Sequence, residues 1–212
     1  DFREGEGPQL SPPLSGTTLE SLTAKRDRWL PVFDTVRKVR QQLDPERTLF
    51  GFAGAPYTVA TYMVAGHGSR DQADARLLAY ADPGRFRQLI DAIAAHTFDY
   101  LSGQIEAGAD AVMLFDSWAG SLAAAEFERW VVAPTAAIDE RLRQHYPHVP
   151  VLGFPRGAGT KAPAYARETG VSALCVDESA DLAFVVANTP ASLPLQGNID
   201  PLALKAGGAA LS

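Results

Sequence analysis

Residues 51–69, GFAGAPYTVATYMVAGHGS, carry two different patterns in immediate succession. The end of TLFGFAG (48–54) is an apolar run too short for a helix, so it reads as a buried strand. APYTVATYMVAG (55–66) then reads as a helix with Pro56 in its first turn, where a missing N–H costs little. Gly54 and Pro56 punctuate a strand-to-helix turn. A turn without side chains also lets a flat ligand come close to the backbone. Tyr62 lies six residues beyond Pro56, within two turns of the helix start. It reads either as a core tyrosine with a satisfied hydroxyl or as a phenol facing that ligand.

The strand-then-helix unit repeats along the chain. AVMLFDS (111–117), VPVLGFPRG (149–157), ALCVDE (173–178) and LPLQGNID (193–200) read as four more short strands. Helical patterns separate them: residues 70–83, 84–110 with Gly108 where the helix would end, 121–146, 162–170 and 181–188. Before the first strand, Leu19, Leu22, Trp29, Val32, Val36 and Val39 recur at helical spacing. Thr17 or Thr18 is placed to cap that helix, and Pro31 to kink or divide it. Residues 1–16 read as an extended arm or loop, rich in Gly, Pro and charge.

Several of these strands are apolar throughout, as parallel strands buried on both faces are. The fold class is therefore α/β, either a doubly wound sheet or a (β/α)8 barrel. No G-x-G-x-x-G or Walker pattern follows the first strand, as a doubly wound nucleotide binder would show. Instead the strands end in polar or glycine-rich groups: GFAGAP, FDSWAG, GFPRGAG, VDES and QGNID. A barrel gathers such ends around one mouth, which favours the barrel. Five strands make an incomplete one, within a single domain spanning 1–212.

The 212 residues suffice for one domain with a core, and 46% hydrophobic with 21% charged residues read as globular and soluble. No apolar stretch reaches the roughly 18 residues of a membrane span. A formal charge of -6 argues against a general nucleic-acid binder. It leaves room for an anionic small molecule held by a few placed arginines. Cys175 is the sole cysteine, so an internal disulfide is impossible, and a reducing compartment fits.

GFAGAPYTVATYMVAGHGS closely resembles the signature of the uroporphyrinogen decarboxylase family. LFDSWAGSL (114–122), GFPRGAG (153–159) and LQGNIDPLAL (195–204) are similar to its other segments, in the same order. EGEGPQL (4–10) resembles the family as well, so the likeness spans essentially the whole chain. The resemblance implies a TIM-type barrel that decarboxylates the four acetate side chains of uroporphyrinogen III to give coproporphyrinogen III. It further implies no metal, no organic cofactor, a cytoplasmic location and a homodimer. A methyltransferase of the same barrel superfamily, acting on a corrinoid or a thiol, is the enzymatic alternative. Such enzymes bind zinc through His and Cys, and no histidine stands near Cys175 in sequence. A non-catalytic tetrapyrrole-binding paralogue is the other alternative.

By that resemblance Tyr62 is the substrate-contacting tyrosine and catalytic candidate, and Ser117 is a second polar contact. From its position alone, Ser117 also reads as a cap for the segment near Gly120. Phe115 and Phe154 suit an apolar wall for a macrocycle, with core packing as their other reading. Arg156, among glycines after a strand, is placed either to bind a substrate carboxylate or to make an ion pair. Asp116 should point away from Ser117, as a structural carboxylate. Arg70 and His67 are weaker loop candidates, and Asn198 and Asp200 occupy another strand end, Asp200 as a helix cap. The family's acidic residue that gathers the pyrrole N–H groups, its arginine-rich motif and its histidine-bearing last strand have no counterpart here. Asp1 is no substitute, and none of His67, His96, His145 or His148 stands in such a motif. These residues are therefore expected to belong to a longer protein and to be inactive alone.

Overall fold

The structure, a computed structural model, describes residues 2–3, 7–10, 13–14, 25–69 and 71–211. Thr17, Thr18, Leu19, Leu22, Arg70 and most of the expected arm lie outside these residues. Within the arm, β1 (Phe2–Arg3) pairs antiparallel with β2 (Gly7–Pro8).

Five parallel strands form the main sheet: β3 (Phe50–Gly54), β4 (Ala111–Asp116), β5 (Val151–Pro155), β6 (Ala173–Cys175) and β7 (Leu195–Gln196). They lie side by side in chain order. A doubly wound sheet reverses its order at a switch point, whereas a barrel does not. The arc is thus five neighbouring strands of a (β/α) barrel, as the strand ends suggested.

The helices are α1 (Leu30–Gln42), α2 (Pro56–Ala65), α3 (Ala73–Ala81), α4 (Pro83–Glu106), α5 (Ala124–Phe127), α6 (Ala133–His145), α7 (Ala162–Thr169), α8 (Leu182–Asn188) and α9 (Pro201–Ala206). Pro31 stands in the first turn of α1, behind a separate 3-10 turn at Arg26–Trp29, and so divides the segment as expected. Pro56 opens α2 and Gly66, with φ of 79°, closes it. The expected single helix over 121–146 is instead α5 and α6 joined through a wide π turn at Glu128–Val132. Pro134 explains the widening. It has no N–H for the Trp130 carbonyl, and its ring would clash with that carbonyl in a regular helix.

The sheet has two faces of different fate. Val112, Leu114, Val151 and Leu174 point to the helices and join Phe86, Leu89, Trp130 and Tyr165 in the main core. Phe86 meets Trp130 edge to face at 4.9 Å. The opposite face is the barrel interior. There Ala111, Leu152 and Cys175 form a small cluster with Met113 and Phe154, while Phe52 stays 61% exposed. At β3, whose outer side pairs with no other strand among the described residues, Gln104 of α4 donates to the Phe52 carbonyl (2.9 Å) and accepts from its N–H (3.0 Å). Among the described residues no helix is long and apolar enough to cross a membrane.

Candidate functional site

The site is built from what stands at the carboxyl ends of β3, β4, β5 and β6. Residue parity puts Phe52, Phe115 and Phe154 on the interior face. The register aligns Phe115 with Phe154 directly. Their rings form a ladder across three strands, Phe52 to Phe115 and Phe115 to Phe154, each step 5.8 Å with rings at 84°. Edge-to-face stacking of this kind makes a rigid apolar wall. Phe154 also packs against the small interior cluster, in line with its packing reading. Phe52, which sequence reasoning missed, extends the wall. Parity groups it with Phe50 and Gly54, and only the register with Met113 of β4 makes that face the interior one.

Ser117 follows β4 in a turn and is half-buried. It does not cap: the short 3-10 turn at Ala119–Ser121 starts from Trp118 with no side-chain cap. Among the described residues its hydroxyl has no hydrogen-bond partner, so it is free for a ligand. Tyr62 lies on α2 one turn beyond Thr58, on the same stripe of the helix. A Cβ at Gly68 would lie 3.4 Å from Tyr62 Cε1 and 3.9 Å from its hydroxyl. The glycine loop therefore runs directly beside the phenol.

Arg156 is exposed, and its guanidinium reaches Glu178 at 3.7 Å. A pair this long and this solvated is weak, so an incoming carboxylate competes readily. The main chain around Arg156 is held firmly. Its N–H donates to the Asp116 carbonyl (3.1 Å) and its carbonyl accepts from Gly120 (3.0 Å). Gly157 donates to Asp177 Oδ2 (2.7 Å). Asp177 also accepts from the Ser179 N–H at 3.0 Å and from its hydroxyl. Burial raises the Asp177 carboxyl, but these bonds outweigh it and hold the group below its ordinary value. Lys161 adds a tie from α7's entrance to the Leu122 carbonyl at 2.6 Å. The turns after β4, β5 and β6 thus form one hydrogen-bonded platform. No hydrogen bond joins Tyr62, Ser117 and Arg156 to one another.

Asp116 faces the helices, as expected of a residue beside Ser117, and is 1% exposed. Its Oδ1 accepts the Thr58 hydroxyl proton at 2.6 Å, and its Oδ2 has no partner. Burial raises its carboxyl to about 7, against the opposing pull of the Thr58 hydrogen bond. Between pH 4 and 7 the native state then holds a proton that the unfolded chain has released. That stability is full below the unfolded pKa of 3.8 and is lost as pH rises through about 7. From pH 5 to pH 8 the loss comes to about 2.5 kcal/mol. Asp116→Asn should flatten this component, as urea unfolding at the two pH values would reveal. Equal pH slopes in both proteins would refute the assignment.

The remaining described candidates each have a partner within the chain. Asn198 donates to the Ala180 carbonyl (2.9 Å), and Asp200 accepts from Leu202 N–H (2.7 Å) at the head of α9. His67 is exposed and bonds the Gly68 carbonyl (2.8 Å). A groove of about 600 Å³, lined by Trp29, Val59, Met63, His96 and Tyr100, lies on the helix side of β3. None of Tyr62, Ser117, Phe115, Phe154 and Arg156 lines it.

A family model described as uroporphyrinogen decarboxylase matches residues 1–212. A uroporphyrinogen decarboxylase from Novosphingobium aromaticivorans is 60% identical over 98% of this chain and 61% of its own length. One from Erythrobacter litoralis is 56% identical over 100% of this chain and 62% of its own length. One from Granulibacter bethesdensis is 49% identical over 99% of this chain and 62% of its own length. This chain therefore spans about three fifths of the length of the curated relatives it matches. Among solved structures, a methyltransferase from Methanosarcina mazei superposes with a TM-score of 0.74 at 16% identity, covering 91% of this chain and 55% of that one. At that identity the likeness shows the fold alone.

Proposed function

The chain belongs to the uroporphyrinogen decarboxylase family, and from that premise we propose that it forms the mouth of an enzyme converting uroporphyrinogen III to coproporphyrinogen III. Four acetate side chains become methyl groups. In each step the bond between methylene and carboxylate breaks and carbon dioxide leaves. The bonding electrons need a sink, and a protonated pyrrole provides one. The methylene then takes a proton and the ring loses one, so each carbon dioxide released consumes one proton. This reading calls for no metal and no organic cofactor. The protein's work is to hold the acetate at the right angle, favour the pyrrole cation and place protons.

The observation that carries the reading is the phenylalanine ladder at the strand ends, bordered by the unpartnered Ser117 hydroxyl and the loosely paired Arg156. A flat macrocycle bearing carboxylates matches an apolar wall with polar groups on its rim. Ser117 donates to a carboxylate oxygen, Arg156 anchors an acetate or propionate, and the Tyr62 phenol hydrogen-bonds the reacting acetate and assists proton placement. The methyltransferase reading rests on shared fold alone.

The reading extends to a cytoplasmic homodimer acting on a small molecule, not on nucleic acid or membrane. It also places these residues within a longer polypeptide. An open five-stranded arc leaves Phe50 and Phe52 exposed where a closed barrel would cover them. Incubation with uroporphyrinogen under reducing conditions tests it. The expected result is coproporphyrinogen from a polypeptide of the relatives' length and at most traces from the 212-residue chain. Absence of product from the longer polypeptide would remove the reading. Rapid turnover by the short chain would remove the claim that more residues are needed.

A further inference from the structure

Asp116 touches three elements of the candidate mouth, although it is too buried to touch a substrate. Its side chain accepts the Thr58 hydroxyl proton. Thr58 is the third residue of α2, and its oxygen in turn accepts the Trp118 N–H at 3.2 Å. Thr58 therefore joins the head of the helix bearing Tyr62 to the turn bearing Ser117. The Asp116 carbonyl takes the Arg156 N–H. Around this junction Tyr57 of α2 hydrogen-bonds Ser121 Oγ at 3.1 Å.

We propose that Asp116 is the positioning residue of this mouth, setting Tyr62 through Thr58, Ser117 through the adjoining peptide and Arg156 through its carbonyl. The inference rests on the decarboxylase reading for what those three residues do, but its geometry is independent of it. Three polar groups from three successive strand units need a common reference to meet one substrate. A side chain in solvent would not hold them, because its own rotamers are free. Asp116 is fixed by burial, and the Thr58 hydroxyl serves as donor and acceptor at once. The two neighbouring phenols reinforce the arrangement. Burial pushes the Tyr57 hydroxyl up to about 12, with Asp116 adding to the shift after the opposing Ser121 hydrogen bond. Burial and then Asp116 push Tyr165 up as well. Both phenols stay protonated and neither neutralises Asp116.

Thr58→Val keeps the shape of the side chain and removes both hydrogen bonds, while Thr58→Ser restores the hydroxyl. The test compares both with the unaltered enzyme of the relatives' length. It uses turnover of uroporphyrinogen, urea unfolding, and fluorine NMR of 3-fluorotyrosine protein with the Tyr62 signal assigned by its loss in Tyr62→Phe. Thr58→Val is expected to lower kcat about tenfold per folded molecule, leave KM within twofold, and displace the Tyr62 resonance. Thr58→Ser is expected to recover kcat to within about twofold and return the resonance. Should Thr58→Val fail to fold, Thr58→Ala makes the same comparison. A variant that is only less stable, with kcat and the Tyr62 resonance unchanged, overturns the proposal. If the unaltered enzyme makes no coproporphyrinogen, the decarboxylase reading fails, and the resonance alone then decides whether Thr58 sets Tyr62.

Discussion

Tyr62→Phe should lower kcat for uroporphyrinogen decarboxylation about 10- to 100-fold, with KM changed little. The substitution removes one oxygen and leaves the ring beside the Gly68 loop. What is lost is a hydrogen bond to a carboxylate in the reacting geometry. Bonds to charged groups contribute about 1.5–3 kcal/mol, which is the range quoted. An interaction of equal strength in the ground state would raise KM instead, so the split between the two constants carries the information. Steady-state assay of the protein at its relatives' length measures it. Turnover at the unaltered rate would exclude Tyr62 from the reaction.

The second large effect concerns Gly120→Ala. A Cβ there would stand 2.6 Å from the Gly157 carbonyl oxygen and 2.9 Å from Gly157 Cα. Both obstacles are main chain, so no side chain can swing aside. The two strands of the contact are also pinned, Gly120 to the Arg156 carbonyl and Gly157 to Asp177. Relief requires separating the turns after β4 and β5. Overpacking of this kind costs about 1–3 kcal/mol, and the pinned backbone puts Gly120 at the upper end. A loss near 3 kcal/mol would lower Tm by about 6–12 °C for a chain of this size. Gly84→Ala is the contrast. Its Cβ would meet only Asp82 Oδ1 at 3.6 Å in the first turn of α4, so it should be neutral or slightly stabilising. Equal melting temperatures for the two variants would contradict the close contact.

Much of the arc was legible because its signals are local. Pro56 and Gly66 bracket α2, Asp200 caps α9, and all five strands fall within the apolar runs that announced them. The side of Asp116 followed from strand parity. Phe115 and Phe154 were legible as a wall, yet Phe52 was not, because its membership depends on the register between β3 and β4. The π turn was missed because Pro134 was read inside a strong helical pattern. Thr58, Asp177 and the Gly120–Gly157 contact carry no pattern of their own. Thr58 meets Asp116 across 58 positions, and Gly157 meets Asp177 across 20. Such pairs exist only once the turns are assembled. Ser117 illustrates the converse: its local context suggested a cap, and the fold left the hydroxyl free.

The clasp between Gln104 and Phe52 has a bearing on how a barrel closes. In β3, Phe50, Phe52 and Gly54 share one direction for their peptide groups, away from β4. Phe52 is already spoken for by a helix side chain. A strand arriving on that flank finds bonding positions only at Phe50 and Gly54, about 13 Å apart. A regular strand repeats its bonding sites every two residues, so one of them falls opposite Phe52 in any alignment. Full pairing on that flank therefore requires Gln104 to swing away and yield its two bonds to the incoming stave.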